Sequence, residues 1–198
     1  EKDAVSNIVW PVCREYHVRY TANKGYSSSY AVYSMSNRML WAALEEGKIP
    51  ILIYVGDHDP SGMDMSRDLL DRLEVFLNNR HEVEQDEDGY YASYKSPPAS
   101  IYDLEVCRVA LNYDQVLQYE PPENPVKFTD SRSTGYEQEF GRQCWELDAL
   151  APSVLSQIIE DAILEHLDQE KYDAVVEQED KDKDKIKKAA DSIISGGS

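Results

Sequence analysis

The sequence is short of cysteine, of basic residues and of long apolar runs, and each shortage disfavours a class of protein. Its three cysteines are odd in number and widely spaced, which predicts reduced thiols in a cytoplasmic protein and not a disulfide framework. The four histidines form no zinc-binding spacing with these cysteines. No apolar run approaches the roughly 20 residues that span a membrane, so we expect no membrane partner.

The charge of the chain is strongly acidic and unevenly distributed. Only 20 lysines and arginines stand against 38 aspartates and glutamates, which gives a formal net charge of −18. This balance disfavours a protein that coats nucleic acid through a basic surface. Much of the acid lies in residues 82–88 and after Glu160. A locally acidic metal site served by a few basic residues therefore stays compatible with nucleic-acid chemistry.

The order of the apolar segments predicts an α/β fold with a parallel sheet and helices on both of its faces. Serine caps and a closing glycine predict a helix over 27–46. The run 49–55 is apolar without alternation, as in a strand that is buried on both faces. A second helix is predicted over 63–78, and further strands over 18–21 and 104–110.

The remaining segments are more polar. The acidic stretch 80–99 and the irregular stretch 121–141 predict loops, and a helix is expected from residue 152. We expect one domain over 1–168 and a charged tail, helical or flexible, over 169–198. The aromatic residues expected in the core are Trp10, Trp41 and Trp145.

Two aspartates mark the end of the central apolar strand. Asp57 and Asp59 follow Gly56 in the stretch YVGDHDPSG. Open α/β sheets bind ligands at the carboxyl ends of their strands, so both carboxylates are expected near one point. Close carboxylates repel each other unless a cation is present, and oxygen ligands of this kind suit Mg²⁺. The alternative is a turn in which Asp59 and Ser61 cap the next helix.

The motif YVGDHDPSGMD resembles the DxD signature of the Toprim domain, in the form found in type IIB topoisomerase A subunits and related recombination proteins. The stretches NKGYSS, KFTDSR and WELDAL extend the similarity to a group of phage and bacterial Toprim-like proteins, up to about residue 165. The resemblance implies a Toprim-like, Rossmann-like fold. It also implies that Glu1, which precedes a helix in EKDAV, forms a catalytic Mg²⁺ or Mn²⁺ site with Asp57 and Asp59.

The function that this resemblance implies is metal-dependent phosphodiester chemistry on nucleic acid, with DNA as the expected substrate. The chain would be a nuclease or the catalytic part of a larger DNA-processing protein. The first Toprim strand would precede Glu1, so we expect the natural protein to extend upstream. Three alternatives stay open. One is a topoisomerase or recombination subunit that takes its tyrosine from another domain or subunit, and another is a non-catalytic Toprim scaffold for a protein partner. The third is a primase-like nucleotidyl transferase, although the sequence shows no extra nucleotide-binding motif.

Four further residues are candidates for contacts with phosphate or nucleic acid. Lys24 and Ser27 follow a predicted strand on the same rim as Asp57, where a helix N-terminus favours anions. The alternative for them is capping and turn chemistry. Lys127 and Arg132 lie in a proline-flanked loop and would supply basic groups to an acidic protein. The alternative is a surface loop with a local ion pair.

Two more carboxylates form a candidate second acidic site. Glu146 and Asp148 are two residues apart in WELDAL. They would hold a second metal or complete the first site. The alternative is an exposed strand face beside buried Trp145 and Leu147.

Overall fold

The computed structural model describes residues 3–22, 25–78, 82–86, 89–93, 105–126 and 132–196. Within these ranges the chain is mixed α/β, helices predominate, and the parallel sheet has two strands. The helices are α1 (Asp3–Glu15), α2 (Ser29–Glu45), α3 (Pro60–Asn78), α4 (Tyr113–Tyr119), α5 (Ser133–Phe140), α6 (Pro152–His166) and α7 (Gln169–Gly196). The strands are β1 (Ile51–Val55), β2 (Glu82–Asp86), β3 (Gly89–Ser93), β4 (Glu105–Ala110), β5 (Asn124–Pro125) and β6 (Gln143–Cys144). Residues 1–159 form one compact unit and residues 160–198 a second.

Helix α2 begins and ends where the sequence predicts. The Ser28 hydroxyl oxygen accepts a hydrogen bond of 3.1 Å from the Ala31 amide, which satisfies one of the free donors of the first turn. Gly47 follows the helix with φ +62°, a left-handed conformation that glycine adopts without strain. The prediction of a helix over 27–46 is therefore confirmed to within two residues.

Strands β1 and β4 pair in parallel and end at the same edge. Their register runs from Ile51 opposite Glu105 to Tyr54 opposite Arg108, and it then shifts by one residue. Beyond the shift, the Gly56 amide donates to the Ala110 carbonyl over 2.8 Å. All five β1 residues are half-buried, which corrects the prediction of a strand buried on both faces.

The hydrophobic core joins α2 to α3 and places both against β1. Its buried members are Val32, Met35, Ala43, Leu69, Leu73 and Leu77, and Leu52 and Tyr54 of β1 pack against them. Burying a leucine side chain contributes about 1.5–3 kcal/mol, so this cluster fixes α3 firmly relative to the strand. The turn between β1 and α3 is thereby held at both ends.

Two predictions about the N-terminal region are wrong. Residues 18–21 form no strand, because the chain turns back along α1: the Val18 amide donates to the Cys13 carbonyl over 2.8 Å, and the hydroxyls of Tyr20 and Ser6 lie 2.6 Å apart. Trp10 and Trp41 are each 53% exposed and lie outside the core, whereas Trp145 is buried as predicted.

Both predicted loops contain regular structure. Strands β2 and β3 pair as an antiparallel hairpin inside 80–99, and α5 occupies much of the second half of 121–141. The charged tail is helical, as α7, and carries ion pairs one turn apart such as Lys183–Glu179 at 3.0 Å. Among the described residues, no helix combines the length and apolar character needed to cross a membrane.

Candidate functional site

The turn between β1 and α3 carries the two predicted aspartates. Asp59 caps α3, because its Oδ1 accepts a hydrogen bond of 2.5 Å from the Gly62 amide. Pro60 opens the helix, where its missing N–H costs nothing. The capping role anticipated for Asp59 is thus present.

Gly62 lets this turn close tightly. A Cβ at this position would stand 3.0 Å from the Asp57 carbonyl carbon and 3.1 Å from Asp59 Oδ1, and closer still to the Asp57 carbonyl oxygen. Two of these neighbours are main-chain atoms, which cannot swing aside as the end of a side chain can. Glycine is therefore required where the first turn of α3 meets the main chain of Asp57.

Asp57 is tied to a distant segment of the chain. Its Oδ1 accepts a hydrogen bond of 2.7 Å from the Leu147 amide. Glu146 and Asp148 flank Leu147 and are exposed, whereas Leu147 itself is buried. The structure therefore brings the segment that holds the candidate second acidic site to Asp57 through its main chain.

Arg108 on β4 is the part of the site that the sequence analysis missed. Its Nη2 lies within donating distance of three carbonyl oxygens, those of Asp57 at 2.6 Å, Gly56 at 3.1 Å and Leu111 at 3.2 Å. Its Nη1 donates to the Gly62 carbonyl over 2.9 Å. One guanidinium thus joins the ends of both parallel strands to the first turn of α3.

The surroundings of Arg108 are partly apolar. Its guanidinium carbon lies 5.5 Å from the centre of the Tyr54 ring. Burial lowers the pKa of the guanidinium, and the nearby charges of Asp57 and Asp59 act in the opposite direction. A single arginine within the otherwise apolar stretch 106–110 of β4 is the signal that could have revealed it.

His58, between the two aspartates, is a buried structural residue. Its backbone pairs with Trp145 in both directions, with hydrogen bonds of 2.8 and 2.9 Å. Its Nδ1 lies 2.7 Å from the Tyr136 hydroxyl, which donates to the His58 carbonyl over 2.9 Å. Burial, and secondarily the charge of Arg108, lower its pKa from 6.5 to about 4, so the imidazole is neutral at pH 7. Rings of Tyr113 and Phe140 complete its pocket.

Arg132 lies on the rim of the same turn. Its Nη2 is 3.3 Å from the Ser61 hydroxyl, and its Nη1 is 3.1 Å from Asp64 Oδ2. The guanidinium also contacts the Tyr26 hydroxyl, and its carbon lies 5.5 Å from the centre of that ring. Since Ser61 and Asp64 both belong to α3, the structure places this predicted basic residue beside the start of α3.

The other predicted phosphate-binding residues are only partly described. The Ser27 carbonyl accepts a hydrogen bond of 2.6 Å from Arg72 Nη1, which holds the start of α2 beside α3. Glu1, Lys24 and Lys127 lie outside the described residues.

The donor set of the turn is compatible with a hard divalent cation. In the ranges that the structure describes, no three histidine, cysteine, aspartate or glutamate side chains form a metal-binding group. Mg²⁺ is often bound by only one or two protein carboxylates, because it retains several water ligands. Asp57 and Asp59 supply two carboxylates, each anchored through one oxygen by a main-chain amide. The residues present therefore fit the ion.

No family model, no curated protein and no solved structure matches the chain.

Proposed function

We propose that residues 1–168 form a Toprim-like α/β domain that carries out Mg²⁺-dependent phosphodiester chemistry on nucleic acid, with DNA as the substrate. Residues 169–198 would be an appended charged tail. The observation that carries the proposal is the anchoring of Asp57 and Asp59 by main-chain amides where β1 gives way to α3. Open α/β sheets bind their ligands at this position.

The candidate residues have separate roles in this proposal. Asp57 and Asp59 would hold Mg²⁺ or Mn²⁺, with Glu1 as a further ligand or as the general acid–base. The bound ion would stabilise the charge that develops on the attacking and leaving oxygens. Arg132, beside Ser61, would direct a guanidinium fork at a phosphate oxygen. Lys24, Ser27 and Lys127 would extend the phosphate contacts along the strand of nucleic acid.

The overall reaction would be hydrolysis of the phosphodiester. A water oxygen forms a new bond to phosphorus, and the bond from phosphorus to the leaving sugar oxygen breaks. A proton leaves the attacking water and a proton is delivered to the leaving oxygen. Neutral His58 is buried among aromatic rings, so we assign it no part in these proton transfers.

The experiment that tests the proposal is a cleavage assay with the full-length chain. Supercoiled plasmid and single-stranded DNA are incubated with Mg²⁺, Mn²⁺ or EDTA. The double variant Asp57→Asn/Asp59→Asn removes both charges while it preserves the acceptor oxygens that bind the Leu147 and Gly62 amides. Asp71→Asn, which removes a charge from an exposed position on α3, is the matched control.

Three results are distinguishable. Metal-dependent cleavage that Asp71→Asn retains and the double variant loses would support the proposal. Metal binding without cleavage would favour the subunit that takes its tyrosine from another domain. The absence of both cleavage and metal binding would overturn the proposal and would favour the non-catalytic scaffold.

A further inference from the structure

We infer that Arg108 is a positioning residue that sets the geometry of the two aspartates for cation binding. This inference rests on the proposed function of the Asp57–Asp59 turn. It adds a residue that lies 49 positions from Asp59 in the sequence and on a different strand. Arg108 holds peptide groups of the turn, and these peptide groups in turn hold the carboxylates.

The contacts of Arg108 reach both aspartates through the main chain. Nη2 lies 2.6 Å from the carbonyl oxygen of Asp57, which fixes the orientation of that residue's peptide group. Nη1 lies 2.9 Å from the carbonyl oxygen of Gly62, whose amide donates to Asp59 Oδ1 over 2.5 Å. A displacement of the guanidinium would therefore change the placement of both carboxylates together.

The guanidinium shape is essential for this arrangement. The four carbonyl oxygens come from Gly56, Asp57, Gly62 and Leu111, and they lie on three different segments. A guanidinium presents a planar, rigid fork with donors on two terminal nitrogens, whereas lysine has one ammonium nitrogen on a flexible chain. Lysine preserves the charge but cannot reach the Gly62 carbonyl and the strand ends from two separate nitrogens.

The charge of Arg108 has a second effect on the turn. Asp57 and Asp59 are two carboxylates separated by one residue, so they repel each other in the absence of a cation. The positive charge beside both of them offsets this repulsion, and it lets the turn form before any ion binds. The same charge would disfavour a cation, so replacement by a neutral residue mixes two opposite effects. Only a charge-conserving variant isolates the geometric effect.

The test is therefore Arg108→Lys in the full-length chain, measured by Mn²⁺ binding. The Mn²⁺ dissociation constant is obtained from the electron paramagnetic resonance signal of the free ion. We expect it to rise at least tenfold, the lower end of the range for the loss of a residue that orients a metal ligand. Arg38→Lys is the matched control, because Arg38 is a half-buried arginine that bonds Ser34 within α2. Its dissociation constant should equal that of the wild type.

Amide hydrogen exchange supplies a second reading that does not depend on metal. In Arg108→Lys the Gly62 and Leu147 amides should exchange at least tenfold faster, because the carboxylates that they bind are no longer held. The amide of Leu73 in the core should keep its rate. A purely structural role for Arg108 would instead accelerate all three amides in parallel through lower global stability.

The outcomes separate this inference from the proposed function. If wild type binds Mn²⁺ and Arg108→Lys binds it equally well, the positioning role is excluded. If wild type binds no Mn²⁺, the proposed function fails, and exchange alone decides: faster exchange confined to Gly62 and Leu147 supports positioning, and unchanged or uniformly faster exchange overturns it. If Arg108→Lys does not fold, wild-type NMR decides. Separate Nη proton signals of a fixed Arg108 guanidinium support the inference, and averaged signals contradict it.

Discussion

Replacing Gly62 with alanine should destabilise the protein, although it places a better helix former in a helix. Alanine is favoured over glycine in a helix interior by about 1 kcal/mol. At this position, however, its Cβ would stand 3.0 Å from the Asp57 carbonyl carbon and 3.1 Å from Asp59 Oδ1. Inserting a methyl group into a closely packed site costs about 1–3 kcal/mol, and more where main-chain atoms must move. The steric cost therefore exceeds the gain in propensity.

The expected net result is a loss of about 1–2 kcal/mol in the free energy of unfolding, measured by urea denaturation at an unchanged slope. Gly135 provides the matched control, because it also lies in a helix but has no atom within 4 Å of the position of its Cβ. Gly135→Ala should stabilise the chain by up to about 1 kcal/mol. If Gly62→Ala is as stable as the wild type, the close approach of α3 to the Asp57 main chain is refuted.

Three further predictions concern stability. Leu73→Ala should lower the free energy of unfolding by about 2–5 kcal/mol, against less than about 0.5 kcal/mol for exposed Val75→Ala, by the same denaturation assay. The pKa of His58 is about 4 when folded and 6.5 when unfolded, so the unfolded state binds the proton first. The contribution of neutral His58 to the free energy of unfolding should be fully present well above pH 6.5 and should fall by about 3 kcal/mol as the pH drops to 4. His58→Gln should remove this part of the pH dependence. A peptide of residues 168–196 should lose helicity by circular dichroism as salt rises, because its ion pairs lie one turn apart; constant helicity would contradict this.

Local signals predicted the elements that frame the turn. Ser28 and Gly47 mark the ends of α2 in the sequence, and regularly spaced leucines place the buried face of α3. These signals act within one or two helical turns, so they can be read from neighbouring residues. Prediction from local signals failed where a distant part of the chain determines the structure of a segment. Residues 18–21 have the composition of a strand, but they pack back along α1 and have no strand to pair with among the described residues.

The hairpin of β2 and β3 was missed because its first strand lacks the composition of a strand. Glu82–Asp86 has almost no apolar residues, and its strand character follows from pairing with Gly89–Ser93. Composition alone therefore predicts a loop there. The predictions that Trp10 and Trp41 lie in the core failed because large apolar side chains are often left partly exposed on a surface.

In the candidate site, too, local features could be predicted from the sequence and long-range contacts could not. The placement of Asp57 and Asp59 after an apolar strand is visible in the sequence, and the role of Asp59 as a helix cap is a local contact. The hydrogen bond from Leu147 to Asp57 spans 90 residues, and the contacts of Arg108 with the turn span 46 to 52. No local pattern encodes contacts of this range, so the residues that fix the aspartates emerge only from the fold.

The central claim is that Asp57 and Asp59 together bind a divalent cation. The most direct measurement is calorimetric titration of the full-length chain with Mg²⁺ and with Mn²⁺, beside Asp57→Asn/Asp59→Asn and the control Asp71→Asn. The account predicts saturable binding by the wild type and by the control, and none by the double variant. Equal binding by all three proteins would place the ion elsewhere on this acidic surface and would contradict the claim, as would the absence of binding by the wild type.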